Sequence, residues 1–168
     1  PQAMVNWSTL TSALETSFND QPLFQHPERG GLIFDPSEVN FLGISMGSIF
    51  GTVFSAIEPR IERTILHVGG ASFGHMMSRA APFAPILFML DISMEDTLHQ
   101  QFFSSMLQTH FDRIDPGFYV RFLNQEALPG RDLVDRKVMI QMAVADTSVP
   151  NFATLLQARG AGTPLLKS

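Results

Sequence analysis

The chain has 168 residues, 45% of them hydrophobic and 16% charged, which predicts one domain with a buried core rather than a disordered chain. The net charge of −5, without a basic stripe, argues against nucleic acid as a partner. There is no cysteine, so disulfides and thiolate metal ligands are excluded, whereas the cellular compartment stays open.

The N-terminal part of the chain predicts a helix, a polar loop and then a strand. Residues 3–18 carry apolar side chains at three- and four-residue spacings, the stripe of an amphipathic helix that faces a core. DPS at 35–37 has turn chemistry, and the following EVNFLGIS (38–45) predicts a short buried strand. From Met46 the apolar spacing becomes helical, and Pro59 is expected to end this second helix. The stripe of the first helix consists of Ala3, Trp7, Leu10, Leu14 and Phe18.

The middle of the chain predicts a second strand and then an irregular helical region. RTILHVGGA (63–71) is an apolar run stopped by glycines and predicts a strand. Ser93 and Asp96 resemble a capping box, with Asp where Glu or Gln is usual. DPG at 115–117 is expected to end the helix that follows, and 118–128 predicts another short helix. One side of the longer helix is expected to carry Met94, Leu98, Phe102 and Met106.

The C-terminal part predicts a third strand and a last helix. KVMIQMAVAD (137–146) reads as a strand that is buried by its composition. The helix after it is expected to end at Gly160, and 162–168 resembles the approach to a fourth strand. Alternating strands and helices predict a parallel sheet with helices on its faces, and so few strands suggest part of a larger domain. The apolar face of the last helix is expected to consist of Phe152, Leu155 and Leu156.

A serine between two glycines stands directly between the first predicted strand and the second helix. GISMG (43–47) fits the pattern Gly-x-Ser-x-Gly, which a chain of this length contains by chance roughly once in twenty. Its position strengthens the signal, because a sharp strand–Ser–helix turn needs glycine at Gly43 and Gly47 for close packing. Ser45 is therefore a candidate nucleophile, and the Met46 N–H is a candidate oxyanion donor. The alternative for Ser45 is an ordinary helix N-cap.

At GISMG the chain resembles the nucleophile elbow of the α/β-hydrolase family, and the resemblance extends through most of the chain. VMIQMAVADTSVPN (138–151) is similar to the family's seventh strand, so the resemblance implies that Asp146 is the catalytic acid. For Asp146 the alternative is a cap or turn residue. The implied fold class is α/β, a partial α/β-hydrolase fold with helices on both faces of a parallel sheet and a helical lid insertion. Residues 1–71 would be helix, elbow and following strand, 72–136 the lid, and 137–168 the acid-bearing strand with its helix.

The resemblance identifies no residue of this chain as the catalytic base. The family order is serine, acid, histidine, and all five histidines of this chain precede Asp146. His75 is the one substitute considered, whereas His67 is expected at a sheet end and His99 and His110 in solvent. The histidine spacing supports no metal site. We therefore expect a fragment of a larger hydrolase, nearly inactive by itself, with the triad histidine within ~30 residues beyond the chain.

The resemblance implies hydrolysis of a small-molecule carboxylic ester by a Ser-Asp-His triad without a cofactor. The apolar, proline-interrupted stretch 73–96 either packs over the sheet or forms a lid whose inner face receives an apolar acyl chain. Its longest apolar run, 80–90, is shorter than the ~20 residues of a membrane-spanning helix, so no transmembrane segment is predicted. The expected partners are the ester substrate and the missing remainder of the same domain.

Two other functions stay open at this point. A non-catalytic α/β-hydrolase-like binding or assembly module would keep the elbow and lack the base. A phosphate cradle at 43–48 is the third reading, although this stretch lacks the lysine of a P-loop.

Overall fold

The computed structural model describes residues 2–164 and Leu166, and it is a mixed α/β structure with a three-stranded parallel sheet. Three short 3₁₀ turns, at Pro22–Phe24, Ala81–Phe83 and Val120–Leu123, join longer elements. The helices are α1 (Gln2–Glu15), α2 (Met46–Ile57), α3 (Phe73–Met77), α4 (Ala84–Ser93), α5 (Thr97–Phe111), α6 (Pro116–Tyr119) and α7 (Asn151–Gly160), and the strands are β1 (Phe41–Ile44), β2 (Arg63–His67) and β3 (Lys137–Gln141).

The sheet confirms the predicted parallel direction of the strands. The strand order is β1-β2-β3, with Phe41 opposite Thr64 and Thr64 opposite Val138. All three carboxyl ends therefore lie at one edge of the sheet, where loops from different strands can meet. Each strand is shorter than its predicted apolar run. β2, for example, ends at His67 because Val68 leaves the extended conformation with φ 45°.

The core lies on the face of the sheet that α2 covers. Leu66 and Leu123 are fully buried, and Phe54 of α2 is 2% exposed. Phe41 of β1 lies 5.4 Å from the Trp7 ring and 5.3 Å from the Phe54 ring, so α1, β1 and α2 meet at one aromatic cluster. The small residues of α2 let this helix approach the sheet closely, which explains why most of α2 is buried.

The opposite face of the sheet is exposed in the described part of the chain. The side chains of Leu42, Ile44 and Met139 are 61%, 57% and 45% exposed. Helices thus cover only one face among the described residues, which differs from the prediction of helices on both faces. The prediction that β3 is buried is also wrong, because its residues alternate between exposed and half-buried and none of them is buried.

A buried arginine joins the C-terminal end of α2 to the loop before β3. Arg136 donates hydrogen bonds to the carbonyl oxygens of Ile61, Leu123 and Glu58 at 3.0, 3.1 and 3.2 Å. Burial lowers the pKa of Arg136, an effect that the nearby Glu58 carboxylate opposes. Glu58 is the C-cap of α2, Leu123 ends a 3₁₀ turn and Ile61 lies in the loop before β2, so the guanidinium supplies hydrogen bonds to backbone carbonyls that no regular element pairs.

Glu58 is itself buried, at 4% exposure, and it is paired with Arg60 at 2.6 Å. Burial alone would raise its pKa, but hydrogen bonds from Arg60 and from the Ser8 hydroxyl outweigh that effect and lower it. Glu58 is therefore ionised when it holds α1, through Ser8, against the C-terminal end of α2.

The predicted apolar stripe faces the core in α1 but not in α7. In α1, Ala3 and Trp7 pack against the core beside the buried Met4, and of the predicted stripe only Leu10, 49% exposed, turns outward. In α7 the predicted face is wrong, since Phe152 is 45% exposed and the inward residues are small or polar. The loop after β2 passes so close to α7 that larger side chains have no room. The inward residues of α7 are Ala153, Thr154 and Gln157.

Two local predictions between the second and third strands are wrong. Asp96 is itself the N-cap of α5, accepting a hydrogen bond from Leu98 N at 2.7 Å, so Ser93 and Asp96 do not form a capping box. The helix predicted over 118–128 is instead α6 and a 3₁₀ turn that ends at Leu123. The predicted approach to a fourth strand includes three residues that lie outside the described residues: Leu165, Lys167 and Ser168.

Candidate functional site

Ser45 lies between β1 and α2 in a backbone conformation that serine rarely adopts. Its φ is 53° and its ψ is −118°, outside the ordinary regions for a residue with a Cβ. The backbone on both sides fixes this conformation. Ser45 N donates to His67 O at 2.9 Å, and Ser45 O accepts from Ser48 N at 2.9 Å and from Ile49 N at 3.0 Å. The residue is tied to β2 on one side and to the first turn of α2 on the other.

The Ser45 side chain does not act as a conventional helix cap. An N-cap serine has an extended backbone and accepts a hydrogen bond from the second or third helical N–H. Ser45 has neither feature, since its backbone is not extended and its hydroxyl makes no capping hydrogen bond. The residue is exposed, so its Oγ is accessible at the end of the sheet.

The two flanking glycines differ in how much room the turn leaves for a side chain. A Cβ added to Gly43 would lie 2.3 Å from Gly47 O and 2.8 Å from Ser48 N, which are backbone atoms of the helix. A Cβ at Gly47 would meet nothing within 4 Å. The prediction that glycine is needed for close packing therefore has a steric basis at Gly43 and none at Gly47 in the described structure. Gly51, one turn later, also has no room, because a Cβ there would lie 2.2 Å from the Phe41 ring.

Strained backbone follows the end of every strand of the sheet. Among the described residues, the non-glycine residues with positive φ are Ser45, Val68, Ser72 and Ala145, at 53°, 45°, 69° and 61°. Ser45 follows β1, Val68 and Ser72 follow β2, and Ala145 follows β3. Such conformations cost about 1–3 kcal/mol each and are concentrated at functional sites. The carboxyl edge of the sheet is therefore the candidate functional site of this chain.

The loop after β2 is held by a buried carboxylate whose role the sequence did not reveal. Asp115, 1% exposed, accepts hydrogen bonds from Ser72 N at 2.9 Å and Phe73 N at 2.7 Å. It also accepts from Gly117 N and from the Gln108 side chain, both at 2.7 Å. In the sequence, the DPG stretch indicated only a turn. Its contact with a loop more than 40 residues earlier has no local signal, so only the fold could reveal it.

Asp146 lies in the loop that follows β3, and its described contacts are those of a turn residue. Its Oδ1 accepts hydrogen bonds from Ser148 N at 2.8 Å and Val149 N at 3.0 Å. The Asn151 side chain braces the same loop by accepting from Ala145 N at 2.8 Å. Within the described residues, no hydrogen bond joins Asp146 to Ser45. The turn role, which the sequence left open, thus accounts for one carboxylate oxygen, and Oδ2 makes no hydrogen bond in this part of the chain.

Across residues 2–164, no histidine is hydrogen-bonded to Ser45. His67, at the end of β2, has its Nδ1 3.1 Å from the Gln141 side-chain oxygen, which confirms its prediction as a sheet-end residue. The His75 ring packs edge-on against Phe152 at 5.5 Å. His99 and His110 are exposed on α5, as predicted. None of these rings is hydrogen-bonded to Ser45, so the described residues do not assemble a Ser-His pair.

The segment that the sequence assigns to a lid is largely exposed. Neither α4 nor α5 has a buried residue, although both carry large apolar side chains. Phe88 of α4 and Phe102 of α5 are each 65% exposed. The end of α5 is the anchored part, because the Phe111 ring stacks on Phe73 at 5.1 Å and Gln108 Oε1 accepts from Gly74 N at 2.7 Å.

A cavity of about 560 Å³ lies between α3 and the helices α4 and α5. It opens beside the loop that Asp115 holds, at the same edge of the sheet as Ser45. The described part of the chain contains no cluster of three or more His, Asp or Glu side chains able to hold a metal ion. It also contains no helix with the length and apolar content needed to cross a membrane.

Comparison with protein-family models, with curated proteins and with solved structures finds no match for this chain. The geometry at the carboxyl edge of the sheet therefore supplies the argument about function.

Proposed function

We propose that this chain is the elbow-bearing part of a serine hydrolase that acts on carboxylic esters, within an α/β-hydrolase fold. The observation that carries the proposal is the conformation of Ser45. An exposed serine with φ 53° and ψ −118°, between a parallel strand and a helix, has the strained geometry of a nucleophile elbow. The absence of a side-chain cap favours this role over the structural one.

The chemistry of the proposed site is acyl transfer. Ser45 Oγ attacks the ester carbonyl carbon and gives up its proton to a histidine that lies outside this chain. The ester C–O bond then breaks, the alcohol leaves with that proton, and water hydrolyses the acyl-serine to release the acid and restore Ser45. The Met46 N–H, at the start of α2, is one donor to the oxyanion that forms. Asp146 would orient the histidine through Oδ2, while Oδ1 stays in its turn. The exposed apolar side chains of α4 and α5 support an ester with an apolar acyl part.

The test is covalent labelling of the full-length protein with a fluorophosphonate, read by mass spectrometry. We expect labelling at Ser45 and its complete loss in Ser45→Ala. Ser72→Ala is the matched control, because Ser72 is another serine with positive φ at the same edge of the sheet. Labelling that persists in Ser45→Ala, or that disappears equally in Ser72→Ala, would refute the assignment of Ser45.

A second candidate function is a non-catalytic α/β-hydrolase-like binding or assembly module. The exposed sheet face favours it, since Leu42, Ile44 and Met139 form an apolar surface on a parallel sheet. Parallel sheets are covered on both faces in folded proteins, so this surface is suited to contact further protein, such as the remainder of the same domain. A full-length protein that folds but does not react with the fluorophosphonate would favour this module.

A further inference from the structure

The cavity between α3 and the helices α4 and α5 has an uncharged lining in which polar groups stand beside apolar surface. Its volume of about 560 Å³ falls in the range of small-molecule sites. The lining consists mainly of hydroxyl and carboxamide side chains, with two leucines and one histidine. These residues include Ser72, His75, Leu87, Leu90, Gln101 and Ser104.

Among residues 2–164 and Leu166, no Asp, Glu, Lys or Arg side chain lines this cavity. An anionic ligand would therefore lose its hydration without gaining a cationic partner, and a cationic ligand would lack a carboxylate. An aliphatic group can pack on the apolar part of the lining, but a purely aliphatic ligand would leave the hydroxyl and amide groups that it covers without partners, at about 1–3 kcal/mol for each group that loses its water. The lining favours a neutral ligand that can itself donate and accept hydrogen bonds.

Several of the polar groups have hydrogen-bonding capacity left over. Within the described part of the chain, no hydrogen bond engages the hydroxyls of Ser72 and Ser104 or the side-chain amide of Gln101. Gln100 donates through Nε2 to Asp91 and to Met94 O, which leaves its Oε1 as an acceptor. These groups come from α5 on one side and from the start of α3 on the other.

Hydrogen bonds to Asp115 and Gln108 hold the α3 side of the cavity in place. Asp115 binds Ser72 N and Phe73 N, and Gln108 Oε1 binds Gly74 N at 2.7 Å. These bonds fix the backbone that bears the Ser72 hydroxyl. Leu87 and Leu90 are the half-buried apolar residues of α4, and they give the opposite wall a hydrocarbon surface. A group with hydroxyls around a hydrocarbon ring or chain matches both walls.

We propose that this cavity binds a neutral polyhydroxylic group, such as a sugar ring or a polyol. The hydroxyls of the ligand exchange hydrogen bonds with Ser104, Gln101 and Ser72, and its C–H face packs on Leu87 and Leu90. The site stands on the lining of the cavity and does not require catalysis. If the proposed hydrolase function holds, the polyhydroxylic group is the alcohol part of the ester. Only this assignment rests on the proposed function.

The test measures binding of methyl β-D-glucopyranoside, glycerol, hexanoate and 1-hexanol to the full-length protein by saturation-transfer NMR and titration calorimetry. We expect saturable binding of the glucoside that weakens up to about tenfold in Ser104→Leu, since loss of one hydrogen bond to the half-buried Ser104 hydroxyl costs about 0.5–1.5 kcal/mol. Gln101→Leu should act in the same direction. Thr109→Leu is the matched control, because Thr109 lies exposed on the same helix and outside the cavity.

Ser45→Ala separates this site from the proposed catalysis. Unchanged glucoside binding in Ser45→Ala, with weakened binding in Ser104→Leu, supports the site whatever the fluorophosphonate experiment gives. Tighter binding of hexanol than of the glucoside, no binding of the glucoside and glycerol, or equal effects of Ser104→Leu and Thr109→Leu would each overturn the proposal.

Discussion

Replacing Gly43 and Gly47 one at a time with alanine tests the geometry of the elbow most directly. The two substitutions are chemically identical and lie four residues apart in one turn. At Gly43 the new Cβ would lie 2.3 Å from Gly47 O and 2.6 Å from Gly47 C, so the first turn of α2 must move away from β1. At Gly47 the new Cβ would meet nothing within 4 Å.

The expected effects on the free energy of unfolding have opposite signs. Overpacking typically costs about 1–3 kcal/mol, and the upper part of that range applies at Gly43 because the obstructing atoms are backbone. For a chain of this size, about 2–3 kcal/mol lowers the Tm by roughly 5–10 °C. Gly47→Ala should be neutral or raise the free energy of unfolding by up to about 1 kcal/mol, because alanine favours the helix over glycine.

Circular dichroism during urea and thermal unfolding measures both quantities on the same samples. A Gly43→Ala protein as stable as the parent would mean that β1 and α2 are not in close contact. A Gly47→Ala protein as unstable as Gly43→Ala would mean that Gly47 is packed against something that the described residues do not include. Either result would refute the steric reasoning.

Three further substitutions test the strain and the buried charges. Ser45→Gly should raise the free energy of unfolding by about 1 kcal/mol or more by releasing the positive-φ strain, while Ser45→Ala should leave it nearly unchanged, as urea unfolding would show. Asp115→Asn should lower it by about 2–4 kcal/mol, because an amide nitrogen replaces an acceptor that binds two N–H donors. The lowered pKa of Glu58 means that its ionised form stabilises the fold above the ordinary glutamate pKa and that this contribution is lost as the pH falls through the lowered value. Urea unfolding from pH 6 to pH 3 should therefore show a loss of stability that Glu58→Gln reduces, and an unchanged pH profile in that variant would contradict the role of the pair.

The sequence predicted the elements that depend on local chemistry. The turn at 35–37 is confirmed by hydrogen bonds from Ser37 to the Asp35 carboxylate, and these bonds lower the pKa of Asp35. The helix predicted from Met46 is confirmed as Met46–Ile57. It could be predicted because its apolar period and the proline that follows it are both local signals. The parallel direction of the strands followed from their alternation with helices.

The faces of the helices were decided by tertiary contacts. Apolar spacing assigned Phe152 to the buried face of α7, but the loop after β2 approaches that helix too closely for a phenylalanine. Ala71 N donates to Ala153 O at 3.0 Å, and the Thr154 hydroxyl donates to Gly69 O at 2.6 Å. Backbone contact of this kind selects small or hydrogen-bonding side chains, and hydrophobic periodicity carries no signal for it.

Some properties of the candidate site likewise follow from the sequence, and others only from the tertiary structure. The sequence by itself determined that Ser45 stands between a strand and a helix with glycines on both sides, because that pattern lies within nine residues. Only the tertiary structure decided that Ser45 is strained, that Gly43 rather than Gly47 is sterically required, and that Asp115 holds the neighbouring loop. These properties arise where β1, β2 and α2 meet, and distances between segments far apart in the chain are set by packing rather than by local propensity.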